Sequence, residues 1–291
     1  MILPGQGHYI NPTFITKTSD TTITGYVTDI ITDLSLNWLK TKRNKEKPFL
    51  MMYLHKAPHR PWWPSPEKFI EFSKKEFPIP ETLFDDYKNR GTAAKTAEMN
   101  ILYDLRYSHD SKIRPEILES LNNIKPFVKP YNWGGSDGFT TSFIRANDMQ
   151  KTIYEPVLDS INMWFKQNWK LLSDKEKMEW KYQRYMQDYL GCISSIDDNV
   201  GRVLDYLQDS SLDKNTIVIY TSDQGFYLGE HGWFDKRFIY NESFKTPLLI
   251  SWKKRIKPGI KKTQMVQNLD FAQTFLEATN IIPPSDMQGE S

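Results

Sequence analysis

Residues 215–236 read Asn-Thr-Ile-Val-Ile-Tyr-Thr-Ser-Asp-Gln-Gly-Phe-Tyr-Leu-Gly-Glu-His-Gly-Trp-Phe-Asp-Lys. The opening seven, Asn215 to Thr221, are rich in β-branched and apolar side chains, the signature of a buried strand. The run breaks at Ser222, Asp223 and Gln224, and Gly225 permits a sharp turn there. Upstream, Ser173 with Glu176 three residues later forms a capping box that opens a long helix. Its later part carries Ile196, Val200, Val203, Leu204 and Leu207 on one face. Downstream lie a second apolar run, Pro247 to Trp252, and a last helix, Asp270 to Thr279, before Pro283-Pro284. Helices alternating with buried strands predict an α/β layer architecture around a parallel or mixed sheet.

The same pattern extends toward the start of the chain. Val27, Ile30, Ile31, Leu34 and Trp38 recur at helical spacing, and Pro48 to Leu54 is a short apolar run that fits a buried strand. Ser65 and Pro66 supply an N-cap and a first-turn proline for another helix. Thr92 to Tyr107 reads as helical, while Pro4–Asp20 and Lys125–Ser142 read as irregular. Ligands of such sheets bind beyond the carboxyl ends of the strands. Two polar clusters sit at those ends: His55 to His59 after the first strand, and Ser222 to Lys236 after the second.

Composition excludes several alternatives. With 38 basic and 36 acidic side chains among 291 residues, the net charge of +2 provides no field to recruit nucleic acid or an anionic membrane. A single cysteine, Cys192, rules out an intrachain disulfide framework and multi-cysteine metal sites. No apolar run approaches the roughly 18 residues of a membrane span. No P-loop, dinucleotide fingerprint, HExxH or GxSxG motif occurs.

Each cluster admits a functional and a structural reading. Asp223 and Gln224 are adjacent hard-oxygen donors suited to Ca²⁺ or Mg²⁺, but two donors cannot fill such a shell, and a simple turn after a strand uses the same residues. His55-Lys-Ala-Pro-His-Arg-Pro-Trp-Trp63 concentrates donors in a loop stiffened by Pro58 and Pro61, as a tetrahedral oxyanion requires. A solvated basic loop is the alternative, and Trp62 and Trp63 serve either a sugar pocket or the core. Asp197 and Asp198 read as a solvated helix face, and Cys192 as buried packing. His109 and Asp110 read as surface polar residues, and His8 as a loop residue with nothing to pair against.

Taken together, His55-Lys-Ala-Pro-His59-Arg-Pro and Thr221 to Lys236 resemble the type I sulfatase family of the alkaline-phosphatase-like superfamily. The branch is that of iduronate-2-sulfatase and bacterial polysaccharide sulfatases. The segments Tyr189–Leu207 and Val266–Leu276 resemble the stretches flanking that family's metal strand, so the resemblance spans most of the chain. It implies a mixed sheet sandwiched by helices. It matches Asp223 and Gln224 to half of a divalent cation site, usually Ca²⁺ with Mg²⁺ as the other choice. Lys236 matches the lysine that binds the sulfate. His59 matches the histidine that contacts the sulfate or leaving-group oxygen and donates a proton to the departing alcohol. Lys56 and His231 stand beside these as substrate-binding candidates.

The family's nucleophile is a formylglycine made within C/S-x-P/A-S-R, and the chain contains no such motif. The paired aspartates of the family's first strand are also missing. The expectation is therefore a partial sulfatase catalytic domain over 1–291, lacking the first strands and the C-terminal subdomain. Residues 110–185 would be a helical and loop insertion, and 253–291 the start of the link to that subdomain. The implied activity is hydrolysis of a sulfate ester, on a carbohydrate or another alcohol, with formylglycine in the missing N-terminal part and no independent turnover by this chain. Phosphodiester or phosphonate hydrolysis, or non-catalytic anion or glycan binding, are the alternatives. Family members are commonly periplasmic, secreted or lysosomal.

Overall fold

A computed structural model describes residues 2–3, 6–121 and 138–291. It opens on a small antiparallel sheet, β1 (Ile2–Leu3), β2 (Thr13–Ile15) and β3 (Asp20–Thr22), of which β2 falls within the segment 4–20 expected to be irregular. Helix α1 (Val27–Asn37) follows, ending in a π-helical turn at Trp38–Lys42. Helix α2 (Pro66–Phe72) starts as the sequence dictates, with the Ser65 side chain accepting the Lys68 amide and Pro66 in the first turn. The expected helix 92–107 divides into α3 (Thr92–Thr96) and α4 (Ile101–Asp104). Asn100 causes the break: its side-chain oxygen accepts the Leu102 and Tyr103 amides at 2.8 and 3.2 Å, a local bond that competes with a continuous helix.

Three short or medium helices, α5 (Pro115–Ser120), α6 (Gly138–Phe143) and α7 (Asp148–Asn168), lead to the long α8 (Asp174–Asp209). Of the expected loop 125–142, residues 125–137 lie outside the described residues, and 138–142 belong to α6. The Ser173–Glu176 capping box is present at the start of α8. This helix packs against α1, α2 and α4 and forms the spine of the core. Beyond it come β4 (Ile217–Thr221), the hairpin β5 (Tyr227–Leu228) and β6 (Phe234–Asp235), α9 (Asn241–Phe244), β7 (Leu248–Trp252) and α10 (Asp270–Ala278). Strands β4 and β7 pair antiparallel, from Ile217 opposite Trp252 to Thr221 opposite Leu248.

One expectation is corrected and one open reading is decided. Residues 48–54 are extended but join no ladder among the described residues, and they are not buried. Leu50, Met52 and Leu54 alternate outward at 71, 74 and 67% exposure. The apolar composition predicted burial on both faces, yet no described element covers the outer one. Trp62 and Trp63 are core residues, both fully buried, and not a pocket lining. Trp62 packs on Tyr185, and Trp63 on Phe69, Phe143 and Tyr154. Beside Trp63 the core holds a charged knot. Asp188 accepts from Lys112 at 2.5 Å and from Arg184 at 2.8 Å, all three buried, with the Lys112 ammonium 4.9 Å from the Trp63 ring centroid. No described helix is long and apolar enough to cross a membrane.

Candidate functional site

The loop after residue 54 delivers His55, Lys56 and His59 as the core aromatics pin it. The Trp62 indole N–H donates to the Pro58 carbonyl at 2.7 Å, and the Tyr9 hydroxyl donates to the His59 carbonyl at 2.8 Å. Asp110 is the deeper anchor. Its carboxylate takes both the Nε and NH2 donors of Arg60, a bidentate pair with Asp110 itself buried. Burial alone would favour the neutral acid. Arg60, His109 and the Arg106 amide together outweigh it and hold the carboxyl below its usual range. His109 and Asp110 are thus buried structural residues, not the surface pair the sequence suggested. A lone Asp following a His carries no sequence signal of a partner 50 residues away.

Lys56 is 7% exposed, with its ammonium 4.8 Å from the Tyr9 ring centroid. Burial pushes it down to about 8, and the nearby Lys236 ammonium acts in the same direction. Lys236 lies 5.6 Å from the Phe226 ring centroid, two residues past Gln224. Burial lowers the His59 imidazole from its ordinary value. The Arg60 carbonyl, 2.7 Å from Nδ1, opposes this, while Lys56 and Lys236 add to it. Lys236 acts on Lys56 and both act on His59, so these three side chains from two loops lie within electrostatic reach of one another. His8 joins their margin: burial first, then Arg145 and Lys56, take its imidazole down to about 4. The sequence left His8 unpaired because its neighbours are remote along the chain.

The other candidates make different contacts. Asp223 and Gln224 stand at the tip of β4, Asp223 exposed and its backbone carbonyl 3.5 Å from the Asn268 amide nitrogen. The Asp223 carboxylate and the Gln224 amide oxygen are hard donors that fit one side of a Ca²⁺ or Mg²⁺ shell. No group of three acidic, His or Cys side chains able to hold a metal occurs among the described residues. His231 faces a different neighbourhood. Its Nδ1 lies 3.0 Å from both Asp85 and Arg90, and its ring packs on Tyr240 and Trp233. Asp198 pairs with Lys68 at 2.9 Å on the exposed face of α8, and Cys192 is buried with its thiol pushed up to about 12 by burial.

The sulfatase family profile matches residues 5–281. The chain belongs to the sulfatase family. An N-acetylglucosamine-6-O-sulfatase of Bacteroides thetaiotaomicron is 41% identical over 98% of this chain and 49% of its own length. A solved structure described as a complex with its substrate, D-glucosamine-2-N,6-O-disulfate, is 40% identical with a TM-score of 0.87. It is matched over 98% of this chain and 55% of its own. The N-acetylglucosamine-6-sulfatase of Capra hircus is 24% identical over 87% of this chain and 32% of its own. This sulfatase chain thus spans about half the length of the relatives it matches. The likeness at 0.87 supports the α/β architecture, the alkaline-phosphatase-like fold expected of the family. Sulfatases of this family use a formylglycine and a metal ion.

Proposed function

We propose that this sulfatase chain supplies the anion-binding and leaving-group side of a carbohydrate sulfate-ester hydrolase, with a 6-O-sulfated glucosamine as the substrate class. The single observation that carries the reading is the convergence of His59, Lys56 and Lys236 on one electrostatic site. Two ammonium groups and an imidazole, fixed before any ligand arrives, are suited to an –OSO₃⁻ group. The curated relative and the solved complex near 40% identity support the sugar.

In this reading Lys236 and Lys56 bind the sulfuryl oxygens, and their burial strengthens the attraction by excluding water. His59, held by its carbonyl bond to Tyr9 and by the Arg60–Asp110 anchor, hands a proton to the departing sugar oxygen. A bound anion offsets the two lysines that depress the imidazole, so the ligand itself favours the protonated donor. Asp223 and Gln224 would hold part of a divalent cation, Ca²⁺ in preference to Mg²⁺, which supplies charge neutralisation at the sulfuryl oxygens. A formylglycine, for which the chain carries no motif, would supply the nucleophile. Residues 110–185 and 253–291 take the insertion and linking roles the resemblance implies.

The test is calorimetric titration of the chain with methyl sulfate and glucosamine-6-sulfate in the presence of Ca²⁺. Both bind, and Lys236→Ala abolishes the response to both. Binding unaffected by Lys236→Ala removes the role given to that residue. Indifference of the native chain to every sulfate ester removes the reading altogether.

A further inference from the structure

Asp235 has no part in the reading above, yet it stands next to the proposed site in a costly conformation. It closes β6 opposite Tyr227 with φ of 71°, a left-handed geometry rarely used by a residue with a side chain. Its carboxylate is mostly buried, and Oδ1 accepts no hydrogen bond. That oxygen lies 3.4 Å from the Lys236 ammonium, and Oδ2 lies 3.5 Å from Arg237. The position is fixed from below. The Tyr185 hydroxyl donates to the Tyr227 carbonyl and meets the Asp235 backbone. Phe234 carries the Arg60 guanidinium 4.9 Å from its ring centroid, which ties β6 to the His59 loop. The groups acting on His59 are the Arg60 carbonyl, Lys56, Lys236 and one acid, Asp235.

We propose that Asp235 is a specificity-determining residue, a fixed counter-charge that lets the cluster hold a monoanionic sulfate ester but penalises a dianion. This rests on the function proposed above. A sulfate monoester carries one negative charge. Its hydrolysis, ROSO₃⁻ + H₂O → ROH + SO₄²⁻ + H⁺, yields a product with two, and a phosphate monoester also carries nearly two at neutral pH. Lys56 and Lys236 attract all three. The buried carboxylate repels each in proportion to its charge, so its penalty falls about twice as heavily on inorganic sulfate as on the ester. The residue thereby favours release of the product and rejection of phosphate esters. A divalent cation at Asp223 and Gln224 raises attraction for every anion without erasing this difference.

The experiment titrates the 291-residue chain with inorganic sulfate and with methyl sulfate at pH 7 and constant Ca²⁺, for the native protein, Asp235→Asn and Asp235→Gly. Asn tolerates the left-handed backbone and Gly favours it, so both retain the fold. The expected result is that each variant tightens inorganic sulfate about tenfold relative to methyl sulfate, the scale of one lost charge contact in a partly desolvated site. A ratio unchanged in both variants overturns the inference. If the native chain binds neither anion, the proposed function fails with it. If it binds both, Lys236→Ala loses both and the ratio still does not move, only the role of Asp235 is lost.

Discussion

At the scale of single residues, burial sets the chemistry of the cationic cluster more than any partner does. Lys56 is the clearest case, since burial takes its ammonium down to about 8, where a free lysine stays charged past pH 10. The sign follows from linkage. Between about 8 and the unfolded value, the unfolded chain holds the proton more tightly, so this group contributes stability that grows as pH rises through that window. Anion binding runs the other way, because it needs the charge. Sulfate affinity measured by calorimetry is expected to be roughly tenfold weaker at pH 9 than at pH 7, and Lys56→Met to flatten that dependence. A native profile already flat across this range would show that Lys56 does not meet the anion. The charged knot under Trp63 gives a second test. Asp188→Ala leaves Lys112 and Arg184 buried without their shared acceptor. The expected loss is about 3–5 kcal/mol by denaturant unfolding, whereas a loss below 1 kcal/mol would mean that water reaches those cations.

Among the elements, α8 decides how closely the rest assembles. Gly191 lies where this helix meets the segment leading into α2, and a Cβ there would stand 2.8 Å from Pro64 Cγ and 3.0 Å from its Cβ. Gly191→Ala is therefore expected to cost about 1–3 kcal/mol through overpacking, although alanine favours a helix interior. Circular dichroism melting would detect it, and an unchanged or raised melting temperature would show that Pro64 simply moves aside. The main elements were legible because their signals are local: the Ser65–Pro66 cap and the Ser173–Glu176 box formed as read, and the β-branched run 217–221 is a strand, though half-buried to exposed where the reading had it buried. Lys56, His59 and Lys236 stand out in the sequence as motif residues of two loops, and in the structure they lie within electrostatic reach of one another. What escaped the sequence depends on distant partners. Asp110 anchors Arg60, His8 borders Lys56, and Asn100 splits a helix that periodicity alone would continue. Asp235 escaped as well, since neither its backbone angle nor its burial is written in residue order.

Over the whole molecule, the apolar surface is unevenly distributed. Leu50, Met52 and Leu54 project from one face of an extended segment, and Leu249 and Ile250 of β7 are also exposed. Neither β4 nor β7 has a second partner strand among the described residues, so ladder groups and apolar side chains are open together. Exposed apolar side chains favour association, and open edges template pairing between chains. The 291-residue chain is accordingly expected to self-associate as its concentration rises, with a weight-average sedimentation coefficient that climbs over the micromolar range. Replacing Leu50 and Met52 by lysine together places charge on that face while leaving Phe49, Met51 and Tyr53, which point the other way, in place. The double variant should sediment as a monomer and retain the melting temperature of the native chain within a few degrees, because the altered side chains bury little. Association that persists in the double variant would move the contact to β7 or elsewhere. Association that disappears along with the folded state would show that these side chains support the segment delivering His55, Lys56 and His59.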